Sequence, residues 1–171
     1  MAFADHSQLG ESFVGSGANA AHINTALGRI GGAVEQAWIT ALATPRMGYA
    51  PFVTVLKPNL PVKPFTLFVN KAAISGESHG LLTWGAAQAG VATGVAAAVA
   101  DNIIPAVEVD NLRLIVAVWV NPEADDEDTV FTNNQQATRE AIALGVRQLP
   151  DISEVLNARL TPANPFFKGS K

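Results

Sequence analysis

The sequence of 171 residues contains no cysteine. Disulfides, thiolate nucleophiles and cysteine-based metal clusters are therefore excluded. Charge is also sparse: charged residues make up 15%, and the formal net charge is −4. Together with a pI near 5.3, this implies no general basic face, and no nucleic acid partner is expected. The opening MAFADHSQLGESF lacks the basic stretch and apolar run of a secretory signal. Long hydrophobic runs are missing too. The longest, Gly85 to Ala100, is mostly Ala and Gly and is short and weakly apolar for a membrane span. A cytoplasmic protein without a membrane partner is the resulting expectation. The three histidines, His6, His22 and His79, do not fall at i,i+4 spacing, so no metal site is expected.

What is present is hydrophobic mass. Hydrophobic residues reach 49%, enough for a real core in a single domain spanning 1–171. Strands are expected at Ser12–Val14 and Ala20–Leu27, around a turn at Gly15-Ser16-Gly17. A helix over about 32–43 follows from the spacing of Val34, Ala37, Trp38, Ala41 and Leu42, and Pro45 stops it. Strands are expected at Phe52–Leu56 and Phe65–Ile74. Three prolines between Lys57 and Pro64 predict an irregular, stiff segment. A long helix over about 78–100 carries Gly80, Gly85, Gly90 and Gly94, whose use would be close approach to a sheet, a neighbouring subunit or a ligand. Leu112–Val120, apolar on both faces beyond Arg113, reads as a central strand. The acidic run Asp125–Asp128 leads into a helix over about 133–147, where it suits the helix dipole better than calcium. From about Pro150 an extended tail, with Phe166-Phe167, is expected to wrap over the surface or onto a partner. Strands and helices are mixed in one compact unit, which predicts an α/β layered fold.

Four positions stand out chemically. His22 lies in an apolar extended stretch just after the glycine turn; histidines in such places are more often structural than catalytic. His79, near a helix start, is expected to be solvated. Lys71 suits either a phosphate or carboxylate contact or a solvated edge charge. Gln88, an amide inside an Ala/Gly helix, must satisfy its donors and acceptors, which makes it a candidate partner for a flat heterocycle. The stiff proline segment can position a ligand or serve as a connector. No dinucleotide fingerprint, P-loop or nucleophile elbow is present.

The runs Gly10-Glu11, Val14-Gly15, Ala21-His22-Ile23, Pro58-Asn59-Leu60-Pro61, Thr66-Leu67, Asn70-Lys71, Gly85…Ala87-Gln88…Gly90-Val91-Ala92 and Ile103-Ile104-Pro105-Ala106 occur in order. In these runs, and again at Pro165-Phe166, the chain resembles the formaldehyde-activating enzyme family. The resemblance implies a two-layer α/β sandwich with a left-handed βαβ crossover, an exception to the usual handedness. It implies ring-like homopentamers with the substrate cleft between subunits. The implied reaction condenses formaldehyde with tetrahydromethanopterin, giving methylene-tetrahydromethanopterin and water. Tetrahydromethanopterin acts as co-substrate, with no tightly bound cofactor and no metal. By the same resemblance His22 is the acid, and the carrier contacts are Asn24, Val53, Lys71, Ala73 and Gln88. Asn24 stands where the family has aspartate, Ala73 where it has threonine, and Ala89 where typical members have histidine. The alternative is a non-catalytic or altered-specificity paralogue that binds a pterin or formaldehyde as sensor or carrier. A structural protein that has kept the fold is a third reading.

Overall fold

A computed structural model describes residues 6–165 and 167. Phe166, half of the expected Phe166-Phe167 tail, lies outside the described residues. The fold is α/β. Its main sheet has five strands in the order β1 (Gln8–Val14), β2 (Ala21–Arg29), β7 (Leu112–Trp119), β6 (Phe65–Asn70) and β3 (Phe52–Val53). All neighbours are antiparallel except β6 and β7, which run parallel. That pair is joined through α2 (Glu77–Leu82), a π-helical segment (Thr83–Ala87) and α3 (Gln88–Ala100). This is the strand–helix–strand connection to which the expected crossover belongs. The apolar β7 is central, as its composition demands.

Strict alternation gives the sheet two distinct faces. Ile23, Thr25 and Leu27 of β2 and Leu114, Val116 and Val118 of β7 are buried on one of them. There they join Val91, Val95 and Ala98 of α3 and Val130, Ala137, Ala141 and Ile142 of α4 (Glu127–Arg147) in one core. Each fully buried Leu, Ile or Val contributes about 1.5–3 kcal/mol. The opposite face carries His22, Asn24, Ala26 and Gly28 on β2. Helix α1 (Ala33–Ala43) covers only its Gly28 end: a Cβ on Gly28 would lie 2.8 Å from a Val34 methyl. Arg113 of β7 reaches up to Glu35 of α1 at 3.1 Å. The His22 end of this face stays open.

Gly90 and Gly94 of the long helix serve contact with another helix. A Cβ on Gly90 would lie 2.5 Å from Phe131 O, and one on Gly94 would lie 2.6 Å from Gln135 O, both on α4. A side chain on Gly85 would meet nothing within 4 Å. Among the described residues, Glu77–Ala100 is one helical stretch long and apolar enough to cross a membrane. More than half of its apolar window is buried in the fold, as befits a core helix.

Several boundaries differ from expectation. The strand expected over 52–56 splits at Thr54, which donates to Thr66 O at 2.9 Å and accepts from Val62 N at 3.1 Å. The proline segment is not wholly irregular: β4 (Val55–Lys57) pairs with β5 (Leu60–Pro61). Pro61 is tolerated because a two-stranded ribbon leaves one edge of each strand without a ladder partner. β6 ends at Asn70 rather than Ile74, because Asn70 Nδ2 donates to Gly48 O and Ala72 O and turns the chain. α4 starts within the acidic run, six residues before Asn133. Asp126 caps it by accepting from Thr129 N at 2.9 Å. The extended tail contains a short helix, α5 (Ile152–Ala158), opened by an Asp151–Glu154 capping box. His79 is 2% exposed rather than solvated. Its Nδ1 accepts from Ser75 N at 3.1 Å and its Nε2 faces Val120 O at 3.0 Å, pinning the start of α2 to the end of β7.

Candidate active site

Two glycines make the β1–β2 hairpin possible. Gly15 and Gly17 hold φ values of +84° and +67°, which side-chain-bearing residues adopt at a cost. The register that follows sets Phe13 opposite His22 and Glu11 opposite Asn24. Across β2, His22 faces Trp119 and Asn24 faces Ala117. All six side chains therefore share the open face. Lys71 follows β6 and extends the parallel ladder by one bond, donating from its backbone N to Val118 O at 2.7 Å. Its side chain then crosses β7 near Ala117 and Trp119 to reach β2.

The result is a compact polar cluster. Lys71 Nζ donates to Asn24 Oδ1 at 2.7 Å and lies 3.3 Å from His22 Nδ1. His22 Nε2 lies 3.0 Å from Glu11 Oε1. With Nδ1 accepting from lysine, Nε2 carries the ring proton toward the carboxylate, a tautomer inferred from the bonds on both sides. The Phe13 ring sits 5.9 Å from the imidazole, tilted by 48°. Burial pushes the Lys71 ammonium down to about 8, against the opposing pull of the Glu11 carboxylate. Asn24 contributes an acceptor without a charge, so the strongest bond to Nζ does nothing to hold a proton there by ion pairing.

The cluster opens into a cleft of about 540 Å3 lined by Glu11, Phe13, His22, Trp119 and the tail residues Ala163 to Pro165. A second hollow of about 610 Å3, under the Gly15–Ala18 turn, shares Phe13, Trp119 and Pro165 with it. Each falls within the usual range for small-molecule sites. Among the described residues, no group of three or more His, Asp or Glu side chains converges as a metal site.

The structure thus brings together His22, Asn24 and Lys71. The other three expected residues lie elsewhere. Val53 is on β3, three strands from β2. Ala73 is exposed in the loop after β6, beside Gly48. Gln88 starts α3, and its Oε1 accepts from Val55 N at 2.7 Å, tying that helix to β4. Sequence reasoning singled out neither Glu11, Phe13 nor Trp119 as site residues. The signal was period-two alternation: reading β1 and β2 as a hairpin around Gly15–Gly17 puts Glu11 and Phe13 beside His22.

Comparison with known proteins shows the family. The family described as "Formaldehyde-activating enzyme (Fae)" matches residues 9–167. A protein of Methanosarcina barkeri named 5,6,7,8-tetrahydromethanopterin hydro-lyase is 41% identical over 160 residues, covering 94% of this chain and 90% of that protein. The bifunctional enzyme Fae/Hps of Methanosarcina acetivorans is 36% identical over 149 residues, covering 87% of this chain but only 38% of the longer relative. That of Methanococcoides burtonii is 34% identical over 165 residues, covering 95% of this chain and 42% of the relative. A match across nearly the whole chain shows that the chain belongs to the formaldehyde-activating enzyme family.

Proposed function

We propose that this protein condenses formaldehyde with tetrahydromethanopterin, giving methylene-tetrahydromethanopterin and water. The observation that carries the reading is one imidazole at a cleft, flanked by a carboxylate on Nε2 and an amine on Nδ1. The condensation needs a proton given and a proton taken. A ring amine of the carrier adds to formaldehyde as a hydroxymethyl group. Hydroxide leaves poorly, so His22 protonates the departing oxygen as water. The iminium that remains is captured by the neighbouring arylamine, which sheds a proton that His22 or its partners accept. Glu11 stabilises the imidazolium while it is charged. Carbon keeps its oxidation level throughout, so the chemistry itself calls for no redox cofactor.

In this reading Asn24, Val53, Lys71, Ala73 and Gln88 contact the carrier. His22, Asn24 and Lys71 lie together on β2 and after β6, whereas Val53 and Gln88 lie toward the β3 edge. A cleft between two copies can set one group against the other, which supports a homo-oligomer, with the family's ring of five as the expected form. The exposed apolar side chains of Leu9, Ile39 and Met47 on the same face or its rim favour such packing. A cytoplasmic location belongs to the same proposal.

Stopped-flow mixing of formaldehyde and tetrahydromethanopterin tests it. The protein should accelerate methylene-carrier formation above the spontaneous rate. His22→Ala should remove about 100-fold or more of the acceleration, the usual scale for general acid catalysis. A His22→Ala variant as fast as the parent would remove His22 from the mechanism. Saturable carrier binding without acceleration would instead assign the protein to the sensor or carrier reading.

A further inference from the structure

We propose that Lys71 is itself a catalytic residue: its Nζ captures formaldehyde as a methylene iminium and hands that carbon to the ring amine of the carrier. The inference rests on the formaldehyde-condensing reading above; it replaces the carrier's direct attack on formaldehyde with a first attack by Lys71 and gives the aldehyde a binding site of its own.

The geometry is that of an activated amine nucleophile. A neutral lysine amine has two N–H bonds and one lone pair. In the tautomer inferred for His22, one N–H at Nζ is directed to Asn24 Oδ1 at 2.7 Å and the other to His22 Nδ1 at 3.3 Å. Both donors are thereby engaged and the lone pair is left for attack. Neither contact is an ion pair: the Asn24 amide is uncharged, and Glu11 is engaged with the far nitrogen of His22. The amine sits beside a base able to take its proton, the arrangement that activates nucleophiles generally. Half-burial of Lys71 favours the neutral form further, lowering its pKa to about 8. At pH 7 about one such lysine in ten is neutral, against about one in three thousand at the ordinary 10.5.

The steps balance. Nζ attacks the formaldehyde carbon, a C–N bond forms, and the carbonyl electron pair moves to oxygen. Nζ loses a proton and the oxygen gains one, giving a carbinolamine. His22 delivers a proton to the hydroxyl group, the C–O bond breaks, water leaves, and an iminium remains on Nζ. The carrier's ring amine attacks the iminium carbon and releases a proton. Reprotonated Nζ then leaves as the neutral amine, and the carrier's arylamine closes onto the carbon with loss of the last proton. One water is formed, and Lys71 is regenerated. Formaldehyde is too small to be held well by contacts alone, and a covalent tether fixes its carbon within reach of His22.

Reductive trapping tests this. The protein is mixed with formaldehyde at pH 7, cyanoborohydride is added, and methylation is quantified peptide by peptide. Lys57 and Lys63, both exposed, serve as references within the same chain. Lys71 should be methylated at least about tenfold faster than either, as its larger neutral fraction requires. Adding tetrahydromethanopterin before the reductant should strip the label from Lys71. Asn24→Asp, which places a carboxylate against Nζ and holds it as ammonium, should abolish the preference. Labelling of Lys71 no faster than Lys57 and Lys63, or a label that the carrier does not discharge, overturns the proposal. Acceleration of condensation without selective labelling overturns the capture and leaves the condensation reading standing. Selective labelling without acceleration does the reverse.

Discussion

Glu11 and Lys71 hold opposite nitrogens of one imidazole, but they differ in how much they can matter. Glu11 is 59% exposed and His22 37%, and an ion pair so open to water contributes about 0.2–1 kcal/mol. Glu11→Gln should therefore slow condensation by no more than about fivefold, far less than loss of His22. Steady-state rates on the two variants check the ranking, and equal losses would contradict it. Lys71 makes a different prediction, through stability. Its folded pKa is near 8 against 10.5 when unfolded. Between those values the unfolded chain holds a proton that the folded chain has released, so stability rises with pH across that window. Below pH 8 the folded protein carries the full penalty of a half-buried ammonium. Lys71→Met should be more stable than the parent at pH 7, with the gap closing toward pH 10.5. Urea unfolding at both pH values checks it, and a pH-independent gap would be the contrary result. At this scale the sequence was informative where alternation alone decides. His22 and Asn24 share a face because they are two residues apart. His79 was misread, because its burial depends on Val120, 41 residues away, and nothing in its neighbourhood announces that contact.

Helices α3 and α4 pack closely because Gly90 and Gly94 bring α3 against the α4 backbone. Adding one methyl group at Gly90 forces α4 to move or the new Cβ to clash, and overpacking of this kind costs about 1–3 kcal/mol. Gly85→Ala is the control: its Cβ meets open space, and the gain in helix propensity is at most about 1 kcal/mol. Chemical denaturation should separate the two, with Gly90→Ala clearly destabilised and Gly85→Ala unchanged or improved. The helix as a whole was legible from composition, but the purpose of its glycines was not, because composition does not say which neighbour comes close. The early start of α4 was legible in principle. An aspartate three residues before a threonine whose N–H needs a partner is a capping signal, and here it lay within a run read only for its charge. The proline segment misled in the other direction: proline excludes a central strand but not the edge of a ribbon.

For the whole molecule, the layered α/β architecture followed from the mixing of strands and helices in one compact unit. The pairing of β2 with β7, strands far apart in the chain, did not, since no local pattern encodes it. Assembly remains the property least visible in one chain. The His22 cluster and the β3-edge residues are separated by β7 and β6, and the proposed shared cleft ties activity to association. Analytical ultracentrifugation should find a closed oligomer, and specific activity should fall on dilution in step with its dissociation. A monomer active at every concentration would dismiss the shared cleft.

The parallel β6–β7 pair has one more consequence. Lys71 meets Asn24 and His22 across 47 and 49 residues of chain, and it reaches them from the end of a strand docked on β7. The β1–β2 hairpin needs only local contacts, whereas pairings so distant in sequence carry a larger loop-closure cost. The Lys71 reactivity proposed above therefore depends on a contact distant in sequence, and a chain in which β6 is not docked on β7 lacks it.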